Sequence, residues 1–206
     1  MSIRTPILLA ALCAAFALSA VTADAQAQVR KRAVASKTDA EGNTTAAAGT
    51  VAAGPNGGRL ARGGVVTTDA EGNTQGASGA AVRGPNGGGA ARAGAFQKNA
   101  DGSFSRQGGA GATTAAGGYG ATQGSVSGDG QGNVRGQRST EATSAAGGRF
   151  SGNTTAATGE GLQHTGSATA ASGASTESQV SASQEGGISR QRTCYNAQGE
   201  QVPCQK

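Results

Sequence analysis

The sequence predicts a low-complexity repeat protein rich in Gly, Ala, Ser and Thr. Such a chain is either largely disordered in isolation or an all-β meander, a solenoid-like array of short hairpins. Three observations predict it. Glycine returns at a fixed interval: Gly42, Gly72, Gly102 and Gly132 lie thirty residues apart, and Gly57, Gly87, Gly117 and Gly147 hold the half-period between them. A fixed period of this length marks a repeat array. Large apolar side chains are scarce: beyond residue 27, Leu, Ile, Val and Phe make up 16 of 179 residues, about 9%, well under the roughly 20% below which a packed core becomes doubtful. Finally, 37 of the 206 residues are glycine, and each costs about 1 kcal/mol in a helix interior, which argues against helix as the organising element of the array.

Residues 1–27 read as a secretory signal peptide with a signal helix. Arg4 supplies the positive charge, Ile7 to Ala20 is an apolar run too short for a comfortable membrane span, and the small-x-small exits Ala23-Asp24-Ala25 and Ala25-Gln26-Ala27 follow. Cleavage is expected after Ala27 and removes Cys13. No later segment is expected to cross a bilayer. Residues 28–37, with Arg30, Lys31, Arg32 and Lys37, form a basic leader.

Four thirty-residue units are then expected, at 38–67, 68–97, 98–127 and 128–157. One turn of each unit is Asp39-Ala40-Glu41-Gly42, Asp69-Ala70-Glu71-Gly72, Asn99-Ala100-Asp101-Gly102 or Asp129-Gly130-Gln131-Gly132. The other is Gly54-Pro55-Asn56-Gly57 or Gly84-Pro85-Asn86-Gly87, with Ala-Ala-Gly-Gly taking over in units three and four. These fit a three-residue hairpin loop, a type I turn closed by a left-handed glycine. The Asp or Asn at the first position bonds to backbone ahead, and Pro presets the second. The structural turn positions are therefore Asp39, Gly42, Pro55, Gly57, Asp69, Gly72, Pro85, Gly87, Asn99, Gly102, Asp129 and Gly132. Of the segments between turns, 64–68, 95–98 and 102–106 read as strand. Residues 158–193 read as a degenerate repeat tail, with worn turns at Gly159-Glu160-Gly161 and Gln184-Glu185-Gly186.

Residues 194–206 close the chain with Cys194 and Cys204 around an Asn196-Ala197-Gln198-Gly199 turn. Two cysteines in an exported chain imply a disulfide, here a disulfide-closed hairpin.

No catalytic constellation is legible. His164 is the single histidine and has no Cys or Asp beside it in sequence. The phosphate-loop Gly-Lys-Ser/Thr is missing. Residues 128–134 resemble one glycine-aspartate element of the calcium-binding β-rolls, but the element occurs once and that family's nine-residue period does not. No cofactor, metal or catalytic residue is expected, and the chain is not expected to be an enzyme.

Net charge is +5, with charged residues at 14%, which permits anionic partners without demanding one. The expected partners are anionic glycans, lipopolysaccharide or an envelope surface, together with self-association. Nucleic acid is disfavoured, since Arg62-Gly63-Gly64 is a lone element. The expected function is an exported, non-enzymatic repeat protein with a structural, surface or adhesive role at an envelope or matrix, located in the periplasm, in the medium or on the cell surface. Its composition resembles that of bacterial glycine/alanine-rich surface proteins. Two alternatives are a basic glycine-rich antimicrobial or toxin-like effector acting on anionic membranes, and a calcium-responsive array. The effector needs a concentrated cationic or amphipathic face, and the sequence shows no such face.

Overall fold

The computed structural model describes residues 29–204. The expected signal peptide and Cys13 lie outside the described residues. Thirteen strands follow in chain order: β1 (Val29–Thr38), β2 (Thr44–Ala53), β3 (Arg59–Thr68), β4 (Thr74–Arg83), β5 (Gly89–Lys98), β6 (Ser103–Thr113), β7 (Tyr119–Asp129), β8 (Val134–Thr143), β9 (Arg149–Ala157), β10 (Gly161–Thr169), β11 (Ser175–Ser183), β12 (Gly187–Tyr195) and β13 (Gln201–Val202). They form one sheet in which the spatial order equals the chain order and each strand pairs antiparallel with its sequence neighbours. The fold is thus the all-β meander. Among the described residues there is no helix.

The sheet is a single layer with almost no interior. Among the described residues only Thr50, Ala61, Ala77, Gly118 and Cys194 are buried. Backbone ladders and turns therefore hold it together, with cross-strand side-chain pairs adding to them. Threonine hydroxyls face each other across the ladder at Thr38–Thr44 (3.0 Å), Thr45–Thr67 (3.1 Å) and Thr122–Thr140 (3.2 Å). Such pairs contribute about 0.2–1 kcal/mol each.

The turns set the register. At Asp39–Asn43 the Gly42 N–H donates to the Asp39 carbonyl (3.2 Å), and the Asp39 N–H donates to the Asn43 carbonyl (3.0 Å). This is a type I turn closed by a left-handed residue, and φ at the eight closing glycines from Gly42 to Gly147 lies between +80° and +98°; the turn after Asp129 differs, with Gly130 left-handed as well at +78°. A side chain there would strain the backbone.

A thirty-residue unit is two strands and two turns, so residue i comes to lie beside residue i+30, two strands away and on the same face. The residues expected as a basic leader at 28–37 overlap β1, which pairs with β2 from Val29↔Ala53 to Thr38↔Thr44. The tail is a contracted repeat: its left-handed glycines Gly147, Gly173 and Gly199 are spaced by twenty-six residues, as are Gly161 and Gly187. Strands β9 to β12 have nine residues each, and loops 158–160 and 184–186 have three.

The two ends of the sheet stack differ. β1 presents a ten-residue open edge carrying Arg30, Lys31, Arg32 and Lys37, and charged side chains on an edge strand discourage pairing with other chains. At the far end, β13 pairs only with Cys194 and Tyr195. The Cys194–Cys204 disulfide closes that hairpin, with Cα atoms 5.4 Å apart.

Candidate interaction faces

Directly opposed residues in an antiparallel ladder point to the same face. Following the register across the sheet therefore sorts every strand residue. One row runs Arg32, Thr50, Arg62, Ala80, Arg92, Ala110, Thr122, Thr140. The next row on the same face runs Val34, Ala48, Gly64, Ser78, Gly94, Gly108, Gly124, Arg138. Arg106 stands one row further out, opposite Phe96 and Val126.

This face collects nine cations: Arg30, Arg32, Arg62, Arg92, Lys98, Arg106, Arg138, Arg190 and Arg192, all exposed. No strand carboxylate lies on it, because Glu141 and Glu177 fall on the opposite face. Nine of the ten exposed large apolar side chains belong to it as well, Tyr119 being the exception. Val34 stands in the Gly64 row, and the other eight run along the rims: Leu60, Val82 and Phe150 toward one end of the strands, and Val66, Phe96, Val134, Leu162 and Ile188 toward the other. The amphipathic cationic face that no linear segment displays is thus assembled by strand pairing.

Between the rims, Arg32, Arg62, Arg92, Arg106 and Arg138 line an open groove of about 1130 Å³ floored by glycine, alanine, serine and threonine. Arg32, Arg62 and Arg92 alternate with Thr50 and Ala80, so their Cα positions are about 9.5 Å apart, twice the strand spacing. The Arg138 Nε donates to the Thr122 hydroxyl (3.0 Å), which in turn donates to the Ser139 carbonyl (2.9 Å).

The opposite face is small-residue along its middle, and its first half carries Lys31, Lys37, Arg59 and Arg83 toward the strand ends. Its middle row is Ala33, Gly49, Gly63, Gly79, Ala93 and Gly109, then becomes Gln123, Ser139, Asn153, Thr165, Gln179 and Gln191.

Charge also separates along the strands. Asp39, Glu41, Asp69, Glu71 and Asp101 lie in turns at one end of the strands, and Asp129 ends β7 at that same end, on the face of Glu141 and Glu177. The Asp39 carboxylate accepts the Asn43 side-chain N–H (2.9 Å) and backbone N–H (2.8 Å), and Asp69 is clamped the same way by Asn73 (both 2.8 Å). These donors stabilise the charged form and hold both carboxyls below the usual aspartate range. Hydrogen bonds from Asn133 lower Asp129 and those from Ser103 lower Asp101. Asn99 uses a different bond, its side-chain N–H donating to Ser103 Oγ (2.9 Å). A link between neighbouring turns joins them laterally: the Ala100 N–H donates to Asn73 Oδ1 (3.0 Å).

At the other end, Pro55 and Pro85 occupy the second position of turns closed by Gly57 and Gly87. Two residues there escaped the sequence reading. The Thr114 and Ser144 hydroxyls accept the Gly118 (3.0 Å) and Gly148 (2.9 Å) N–H groups, and so take over where Pro is lost. A hydroxyl three residues ahead of the closing glycine was the signal for them.

His164 lies in the Gly64 row and its Nδ1 sits 2.8 Å from the Thr154 hydroxyl. Among the described residues, no group of His, Cys, Asp and Glu is arranged to hold a metal. In comparisons with known proteins, no family model, no curated protein and no solved structure matches this chain.

Proposed function

We propose that this chain is an exported, non-enzymatic surface protein that works by contact, in a structural or adhesive role at a cell envelope or matrix. The single observation carrying the reading is the one-layer sheet: it exposes both faces, and one of them is cationic without a strand carboxylate. A surface of this kind suits adhesion better than catalysis, which needs groups held rigidly around a reacting centre. The Cys194–Cys204 disulfide fits an oxidising compartment.

The test is fractionation of cells producing the full chain and a chain lacking residues 1–27. The expected result is an oxidised full-length product in the envelope or medium that depends on those residues. Recovery of a reduced, cytosolic product from both overturns the reading.

A second reading, action on anionic membranes, is favoured by the apolar rims beside the arginines. Dye leakage from anionic vesicles distinguishes it, since a purely adhesive surface leaves vesicles sealed. The turn carboxylates give the calcium reading no comparable support, because their oxygens already accept N–H groups of their own turns.

A further inference from the structure

We infer that the arginine row across β1, β3 and β5 is a binding track for a linear acidic polysaccharide whose chain runs across the strands. The inference rests on the surface reading above and names its partner.

Charge sets the first condition. Arg32, Arg62 and Arg92 stand in one row, Arg106 and Arg138 flank it, and no strand carboxylate shares the face. A second copy docked through this face would set guanidinium against guanidinium, which excludes self-pairing there. A guanidinium forks onto a carboxylate or sulfate with two parallel hydrogen bonds.

Spacing sets the second. The cations recur about every 9.5 Å along the row, two strand widths. The residues between and beside them are small, with Ala80, Gly64 and Gly94 leaving a trough rather than a ridge. The exposed Ser78 adds a hydroxyl that hydrogen-bonds a sugar.

Shape and stacking choose among polyanions. Neighbouring strands usually rotate by about 20–25°, so over the four strand pairs from β1 to β5 the row turns by roughly 80–100°. A flexible polymer follows such a track, whereas a flat bilayer meets only a few strands of it at once. Single-stranded nucleic acid gains much of its affinity from bases stacked on aromatic rings. Neither of the two central rows carries an aromatic residue between β1 and β8, and Tyr119 is on the other face.

The test titrates the exported chain with polygalacturonate, neutral dextran, single-stranded DNA and anionic phospholipid vesicles, each at two salt concentrations. Polygalacturonate is expected to bind in a salt-dependent manner and dextran is not. The triple variant R32A/R62A/R92A is expected to lose about tenfold in affinity, three exposed ion contacts' worth. The equally charged triple R59A/R83A/R149A, on the opposite face, is expected to lose less than about twofold, because screening by salt leaves distant charges little influence. Equal losses in both triples overturn the track, as does tighter binding of DNA or vesicles, or no binding of polygalacturonate.

Arginine footprinting of the unmodified chain with phenylglyoxal keeps the test independent of variant folding. The polymer is expected to protect Arg32, Arg62 and Arg92 and to leave Arg59 and Arg83 reactive. Uniform protection, or none, overturns the track. An envelope-associated chain that ignores polygalacturonate keeps the surface reading and loses this one.

Discussion

The first and last thirds of the sheet reach the same architecture by different means. From β1 to β6 the unit is thirty residues, aspartate–asparagine clamps stiffen five-residue loops, and the middle row of the face opposite the arginines is alanine and glycine. From β10 to β13 the unit contracts to twenty-six, the loops at one end shrink to three residues, that same face becomes serine, threonine and glutamine, and a disulfide seals the end. Pairing survives because each strand loses one residue and the loops at one end lose two, which preserves which residues share a face. Length of repeat is therefore negotiable in this sheet, while the alternation of faces is not, since a slip of one residue exchanges them.

Removing the disulfide breaks the comparison most strongly. The C194S/C204S variant is expected to lose about 2–3 kcal/mol of local stability. Hydrogen exchange is expected to accelerate in β12 and β13 and to stay unchanged in β2 to β6. Exchange that accelerates along the whole sheet would show that the two regions unfold as one unit.

Glycine substitutions in the turns come next. Both Gly72 and Gly161 have left-handed φ, at +87° and +85°, but a Cβ at Gly72 meets nothing within 4 Å, whereas at Gly161 it collides with the Ala182 carbonyl oxygen. Gly72→Ala is expected to cost about 1–2 kcal/mol from backbone strain alone. Gly161→Ala is expected to cost more, and a denaturant midpoint equal for the two would refute the tighter packing of the contracted turns.

Acid sharpens the contrast. Asp39, Asp69, Asp101 and Asp129 have lowered pKa values in the folded chain, through donors such as Asn43 and Asn73. A depressed folded value means that the stabilisation is present above the unfolded pKa and is lost as pH falls through the folded one. Amides of β1 to β8 are thus expected to lose protection below the ordinary aspartate range. The contracted loops at 158–160 and 184–186 contain no aspartate, so β10 and β11 are expected to respond less. Equal acid sensitivity of both regions would remove the clamps as its cause.

The smallest effect is a gain. Arg59 and Arg83 stand directly opposite each other on the small-residue face, and like charges so placed repel. Arg83→Thr is expected to stabilise by about 0.2–1 kcal/mol in thermal unfolding.

Turn positions were legible because turns demand particular residues. Gly42, Gly57 and Gly72 sit where backbone sterics leave little choice, and Cys194 and Cys204 are the two cysteines beyond residue 27. The strands were hard to read because alanine, glycine, serine and threonine carry no apolar alternation. Only stretches such as Val65-Val66-Thr67 stood out, yet every interval between turns is strand. The cationic face was invisible along the chain for a related reason. Arg32, Arg62 and Arg92 are remote in sequence, and only the register converts an interval of thirty into adjacency two strands apart. The contraction at Gly161 passed for wear because two residues are missing from each loop at that end.

A layer whose strands touch only the strands before and after them carries no closure requirement. Nothing at its middle must be rebuilt to accommodate an inserted copy. Each additional unit would extend the ribbon by two strand widths, about 9.5 Å, and supply one more guanidinium in line with the others. Reach, and the number of guanidinium groups in the row, are then set by how many repeats the chain encodes rather than by the shape of a pocket.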